Sequence, residues 1–273
     1  MMRGQRVCAT AVRAPDGKIV VQTAPLSSLY RGPLPRIPFL RGLLALGDAL
    51  ILGMRSLSFS AGVQAGETMG TAPIAISMIV ALVLGVGLFF LLPAAVAHLI
   101  GSAFGWSSTA SNALEGLIRL ALLVGYVGAI GWMPEVRRVY GYHGAEHMTI
   151  HAFESQAALD PESIAAFPRE HPRCGTAFLL TVVVLSVLLF SLLGPMPLAT
   201  RLASRLLLVP VLASLAYEYI RFTGRWSNTW WGRTLAAPNL AMQRLTTRKP
   251  EPAMIEVAIA AFQAMRQGEP PPT

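Results

Sequence analysis

Four stretches of the chain stay apolar for about the length a bilayer demands, roughly 20 residues. They run over 73–98, 112–133, 176–198 and 202–222. The third carries no charge. The second holds Glu115 and Arg119, and the fourth holds Arg205 and Glu218, with Glu218 further inside the fourth segment than Arg205. Ahead of them, over 37–60, Arg41, Asp48 and Arg55 recur every seven residues and so share one helical face. That pattern predicts an amphipathic helix lying in the membrane interface, with a fifth span as the alternative. Residues 10–23 hold two β-prone runs around Pro15-Asp16-Gly17 and predict a hairpin. Near the far end, Ile255, Ala258, Ile259, Phe262 and Met265 form an apolar stripe, which predicts a helix over 251–266.

The pattern therefore predicts an all-α membrane protein of about four transmembrane helices with a small hairpin. Its parts are an N-terminal segment (1–36), an interfacial helix (37–60), a transmembrane domain (73–222) and a tail with a final helix (223–273). A loop at 134–175 joins the second and third spans. The small residues of GYVGAIG (125–131) would let helices approach closely, within one chain or between copies in an oligomer.

Composition agrees: 53 % of residues are hydrophobic, 13 % are charged, and the mean hydropathy is +0.53. The net charge of +8 fits either a nucleic-acid partner or positive-inside sorting. The distribution of the 22 Lys and Arg residues decides. Eight precede the first span, four lie in 134–175 and seven in 221–273, against two (Arg201 and Arg205) on the opposite side. Alternate segments are basic, as they are in a multi-pass cell-membrane protein with both termini cytoplasmic. No base-reading module is evident. Residues 1–17 lack the apolar core of a signal peptide. Cys8 and Cys174 both fall on the cytoplasmic side, where a structural disulfide is not expected.

The chemistry concentrates in YHGAEHMTIHAFE, 142–154, which holds three of the chain's five histidines. On a helix turning about 100° per residue, His143, Glu146, His147, His151 and Glu154 share less than half of the surface. His143 to His147 also spells H-x-x-E-H, the inverted zincin pattern, in which two histidines four apart bind zinc and the glutamate serves as general base. Glu218 is the candidate third ligand, since a carboxylate inside a span needs a partner and topology puts it at a similar depth. His151 and Glu154 would orient the ligands or hold a second ion. The competing reading is a polar interfacial helix whose histidines bind water and headgroups.

HPRCGT, 171–176, offers His171 and Cys174 as further ligands, against the plainer reading of a proline-kinked entry to the third span. His98 reads as interfacial, and Glu115 with Arg119, four apart, as a mutual ion pair.

The stretches MMRG (1–4), AVRAPDGKI (11–19), 38–61, 142–154, HPRCGTAF (171–178), AYEYIRF (216–222) and 242–262 together resemble the YqhQ-like bacterial membrane proteins. That family is described as one of predicted metal-dependent enzymes of uncharacterised activity. The resemblance covers nearly the whole chain, and it places His143, Glu146, His147, His151, Glu154, His171, Cys174 and Glu218 in signature stretches. It also implies a glycine-rich segment with a glutamate before MMRG, hence a start upstream of Met1. N-terminal sequencing of native protein tests that expectation.

Three functions follow. The first is a metal-dependent membrane enzyme, hydrolase-like, with a divalent ion (zinc, or manganese or iron) on His143, His147 and Glu218, and Glu146 as base. The second is a non-catalytic metal-binding scaffold, sensor or assembly factor, whose shell would include His171 or Cys174. The third is a transporter, for which the spans hold few mid-membrane polar residues.

Overall fold

The computed structural model describes residues 1–27, 37–66 and 71–269. Part of the Gly/Pro/Arg-rich stretch YRGPLPRIP (30–38), a connector by its composition, lies outside them. The described chain is mostly helical with one small sheet.

The hairpin forms and is longer than the turn signal implied. Strands β2 (Val7–Arg13) and β3 (Ile19–Pro25) pair antiparallel, and β1 (Met2–Arg3) adds to the other edge of β2. Gly17 closes the turn at φ 86, a conformation that costs glycine little. The sheet packs on α11 (Pro252–Gln267), whose stripe from Ile255 to Met265 is buried. Helix α5 (Pro134–Glu154) packs on the same stripe through Ala145, Met148 and Ala152. The two ends of the chain and the middle helix thus share one hydrophobic core, which also takes in Ile164 of the short α6 (Pro161–Ile164).

The apolar helices form the rest. Helix α1 covers Leu40–Ala65. Helix α2 (Thr71–Val86) continues through a π-helical turn at Gly87–Leu91 into α3 (Leu92–Ala103). Then come α4 (Ser108–Ile130), α7 (Ala177–Ser191), α8 (Leu198–Leu207), α9 (Val209–Arg225) and α10 (Trp230–Thr246). Among the described residues, three helical stretches are long and apolar enough to cross a membrane: Leu40–Ala65, Ala72–Ala103 and Ser108–Ile130. A fourth exists if α8 and α9, bent by 42°, make one span. Pro210, in the first turn of α9, accounts for the bend, because it cannot donate a backbone hydrogen bond.

Two expectations need correction. The uncharged stretch 176–198 yields a helix of only 15 residues, about 22 Å long, short of a core about 30 Å thick. Its Leu180, Val183 and Phe190 are buried among the other helices. Conversely α1, read as lying flat, has the length and hydropathy of a span. Its polar face meets protein instead of headgroups. Arg41 pairs with Glu218 of α9, Asp48 is buried against Arg3 of β1, and Arg55 lines a groove beneath the sheet. A Cβ on Gly42 would come within 2.9 Å of Tyr217 Cβ, so α1 and α9 approach closely there.

Of the GYVGAIG glycines, only Gly131 approaches another helix among the described residues, a Cβ there coming within 3.0 Å of Tyr140 Cε2 of α5. Cβ atoms on Gly125 and Gly128 would meet open space, whereas one on Gly116 would press into Val187 of α7.

Candidate metal centre

Helix α5 begins at Pro134, whose missing N–H costs nothing at a first helical position. It then projects His143, His147 and His151 at intervals of one turn. The segment 169–176 crosses this face. Gln243 of α10 clamps it, accepting from His171 N–H at 2.8 Å and donating to His171 C=O at 3.0 Å. Gly144 lets the chain after α10 pass close to α5, since a Cβ there would lie 2.4 Å from Arg248 C=O.

Three donors converge: His143, His147 and Cys174, whose ligand atoms lie within 4.8 Å of one another. His143 Nδ1 sits 2.9 Å from Thr246 C=O, and His147 Nδ1 2.6 Å from Arg169 C=O. A carbonyl only accepts, so each Nδ1 carries a proton; each Nε2 donates to Cys174 while its ring is charged and offers a lone pair to an ion once the ring is neutral. That is how histidine ligands are held in metal sites. His143 Nε2 is 3.2 Å from Cys174 Sγ. Zinc–nitrogen and zinc–sulfur bonds of about 2.0 and 2.3 Å put the two atoms about 3.5 Å apart in a tetrahedron, so the spacing fits an ion.

Electrostatics prepares the thiol. Burial pushes the Cys174 pKa up, but hydrogen bonds from His143 and His147 and their charge outweigh it and bring it down to about 5. Burial depresses His143, yet Cys174 and the Thr246 carbonyl leave its pKa raised. Both cysteines are free, and Cys8 is buried on β2.

A second group lies alongside: His151, Glu154 and His171. The His147 and His171 rings are 5.8 Å apart, and those of His151 and His171 are 4.7 Å apart. His151 Nε2 donates to Glu170 C=O at 2.9 Å, leaving Nδ1 free. Glu154 also holds Arg173. His171 Nε2 is buried without a hydrogen-bond partner, 3.6 Å from Glu154 Oε2. Its Nδ1 accepts from Arg173 N–H at 3.2 Å, which favours the proton on Nε2. The second group therefore fits an ion less well than the first. Burial, then the charge of His151, lowers the His171 pKa to about 4.

Two sequence candidates lie elsewhere. Glu218, read as the third ligand, is held by the Arg41 guanidinium and by Phe39 N–H at 3.1 Å. Cys174 takes the third corner. Glu146, read as the base, accepts a hydrogen bond from the Met1 amino group on the side of α5 facing the sheet. Sequence reasoning passed over Gln243, Thr246 and the carbonyls of Arg169 and Glu170, which hold the histidines. The carbonyls carry no residue signature, and Gln243 reads as one more polar residue of an amphipathic helix.

A family model described as "Protein of unknown function (DUF1385)" matches residues 37–268. The chain is 29 % identical over 282 aligned positions to the uncharacterized protein YqhQ of Bacillus subtilis (strain 168), covering 97 % of this chain and 88 % of that protein. No solved structure matches.

Proposed function

The chain belongs to the DUF1385 family, and we propose that it is an integral membrane metalloprotein, hydrolase-like in chemistry, with a divalent ion on His143, His147 and Cys174. One observation carries this reading. Both imidazoles are anchored through Nδ1 to backbone carbonyls while His143 Nε2 meets a buried thiol of lowered pKa. Two imidazoles and a thiolate suit zinc better than manganese or magnesium. Three protein donors leave one position of a tetrahedral ion for a substrate, as catalytic sites do and closed structural sites do not. Bound there, the ion would supply Lewis-acid polarisation.

The chain's own groups do the rest. The Thr246 and Arg169 carbonyls hold both imidazole rings in their tautomers. Burial of Cys174 keeps bulk water from the thiolate. Glu146, the base expected from the sequence, is held instead by the Met1 amino group. The basic segments support a reading in which both termini and this site face the cytoplasmic side of the cell membrane, which reporter fusions at Met1 and Gly268 would check.

A non-catalytic scaffold or sensor is the second reading. His171 favours it: recruited from the neighbouring group, it would close the shell with a fourth donor. Metal analysis of detergent-purified protein comes first. Near-stoichiometric zinc, lost in His143→Ala/His147→Ala, is expected; none in either, with metal offered and the fold intact, overturns the metalloprotein. X-ray absorption then separates the readings. Two nitrogens, one sulfur and one exchangeable light atom support the enzyme, and a third imidazole supports the scaffold.

A further inference from the structure

Far from the histidines, charged side chains are buried together near the start of α4. Glu115 exposes 1 %, Arg119 0 %, Arg205 1 % and Arg201 6 % of its surface. Glu115 Oε1 accepts from Arg119 at 2.8 Å and from Arg205 Nε at 2.9 Å, and its Oε2 accepts from Arg201 and Arg205, each at 2.8 Å. The sequence pairs Glu115 with Arg119 alone; folding brings two more arginines from α8. Three guanidiniums against one carboxylate leave two positive charges in excess.

Neutral groups spread that excess without cancelling it. Asn112 Oδ1 accepts from Arg201 at 3.0 Å and from Arg205 at 3.1 Å. Ser186 accepts from Arg119 at 2.7 Å, and the Arg205 guanidinium lies 4.2 Å from the centre of the Phe190 ring. Pro93 cannot donate to the Phe89 carbonyl four residues before it, and Arg119 Nε donates there at 2.7 Å. Buried charge of one sign is costly in a membrane bundle unless an opposite charge meets it.

A pocket of about 160 Å³ opens beside this cluster, lined by His98, Ser102, Ser111, Asn112, Arg201 and Arg205 among others, with no carboxylate in its wall. We propose that it is an anion site of the phosphate class, in which the N–H groups of Arg201 and Arg205 left over from Glu115, Asn112, Ser111 and Ser204 face a tetrahedral oxyanion. A guanidinium N–H to a phosphate oxygen is a charge-assisted hydrogen bond. The phosphate is that of a lipid headgroup or free inorganic phosphate. This site is separate from the metal centre: Asn112 and Val127, where Tyr140 of α5 docks, are about 22 Å apart along α4.

The test uses full-length protein in an uncharged detergent, freed of phosphate. Its thermal unfolding is followed against inorganic phosphate and, separately, in nanodiscs of phosphatidylglycerol or phosphatidylcholine. A saturable rise of several degrees with inorganic phosphate identifies a free-phosphate site. A rise only with phosphatidylglycerol identifies a lipid site. Arg201→Gln risks unfolding, so Ser102→Glu is the informative variant, placing a carboxylate in the pocket wall without touching Glu115. It should abolish the rise, while Gln263→Glu, an equal charge change on α11, should keep it. No rise with either ligand, or one that survives Ser102→Glu, overturns the proposal.

Discussion

Cys174 Sγ lies 3.2 Å from His143 Nε2 across 31 residues of sequence. The contact joins the helix that carries the histidines to the segment that crosses it, and the candidate centre depends on it.

Replacing Cys174 should therefore cost metal and not fold. Cys174→Ser keeps the volume but loses the soft donor, and bound zinc should fall at least tenfold in competition with a chelator. Glu218→Gln should leave zinc content unchanged, because Glu218 serves Arg41. Its effect should be on unfolding, by about 1 kcal/mol for a partly exposed pair.

The apo protein should hold Cys174 as a thiolate at neutral pH. Its folded pKa of about 5 lies below the value near 9 of a free thiol. The unfolded chain thus binds the extra proton between those values, and stability rises with pH across that window. It is lost as pH falls through about 5. Ultraviolet absorbance of the thiolate in a Cys8→Ser background measures this directly, and His143→Ala should move the midpoint upward.

His171 gives a second window. Burial lowers its pKa from 6.5 to about 4, so its contribution is present above 6.5 and lost as pH falls toward 4. In apo protein, His171→Gln should flatten the pH dependence of the melting temperature over that range.

Gly144→Ala should damage the centre without touching a donor. The new Cβ would stand 2.4 Å from Arg248 C=O and push the segment after α10 off α5, taking the Thr246 carbonyl from His143. We expect a loss of about 1–3 kcal/mol in thermal unfolding, as for overpacking, with weaker zinc binding.

Glu115→Gln should be the most damaging single change. It leaves three buried arginines without their carboxylate, and removing one partner of a buried ionic group costs about 3–5 kcal/mol. Unfolding in detergent measures it.

Periodicity and turn chemistry were enough to determine the hairpin at Pro15-Asp16-Gly17, the buried stripe of α11, the helical histidine face and the apolar helices, because each is a local property of neighbouring residues. The pairing of Glu115 with Arg119 was legible for the same reason. Tertiary structure alone decided which donors meet. Glu218 and Cys174 were both admissible third corners on the sequence, and the close packing of α1 on α9 gave Glu218 to Arg41, while the Gln243 clamp brought Cys174 over the histidines. It also decided that 176–198 forms only a short helix, Ala177–Ser191, with one face buried, and that Arg201 and Arg205 join Glu115. Contacts of this kind depend on the approach of distant segments, which the spacing of residues along one segment does not encode.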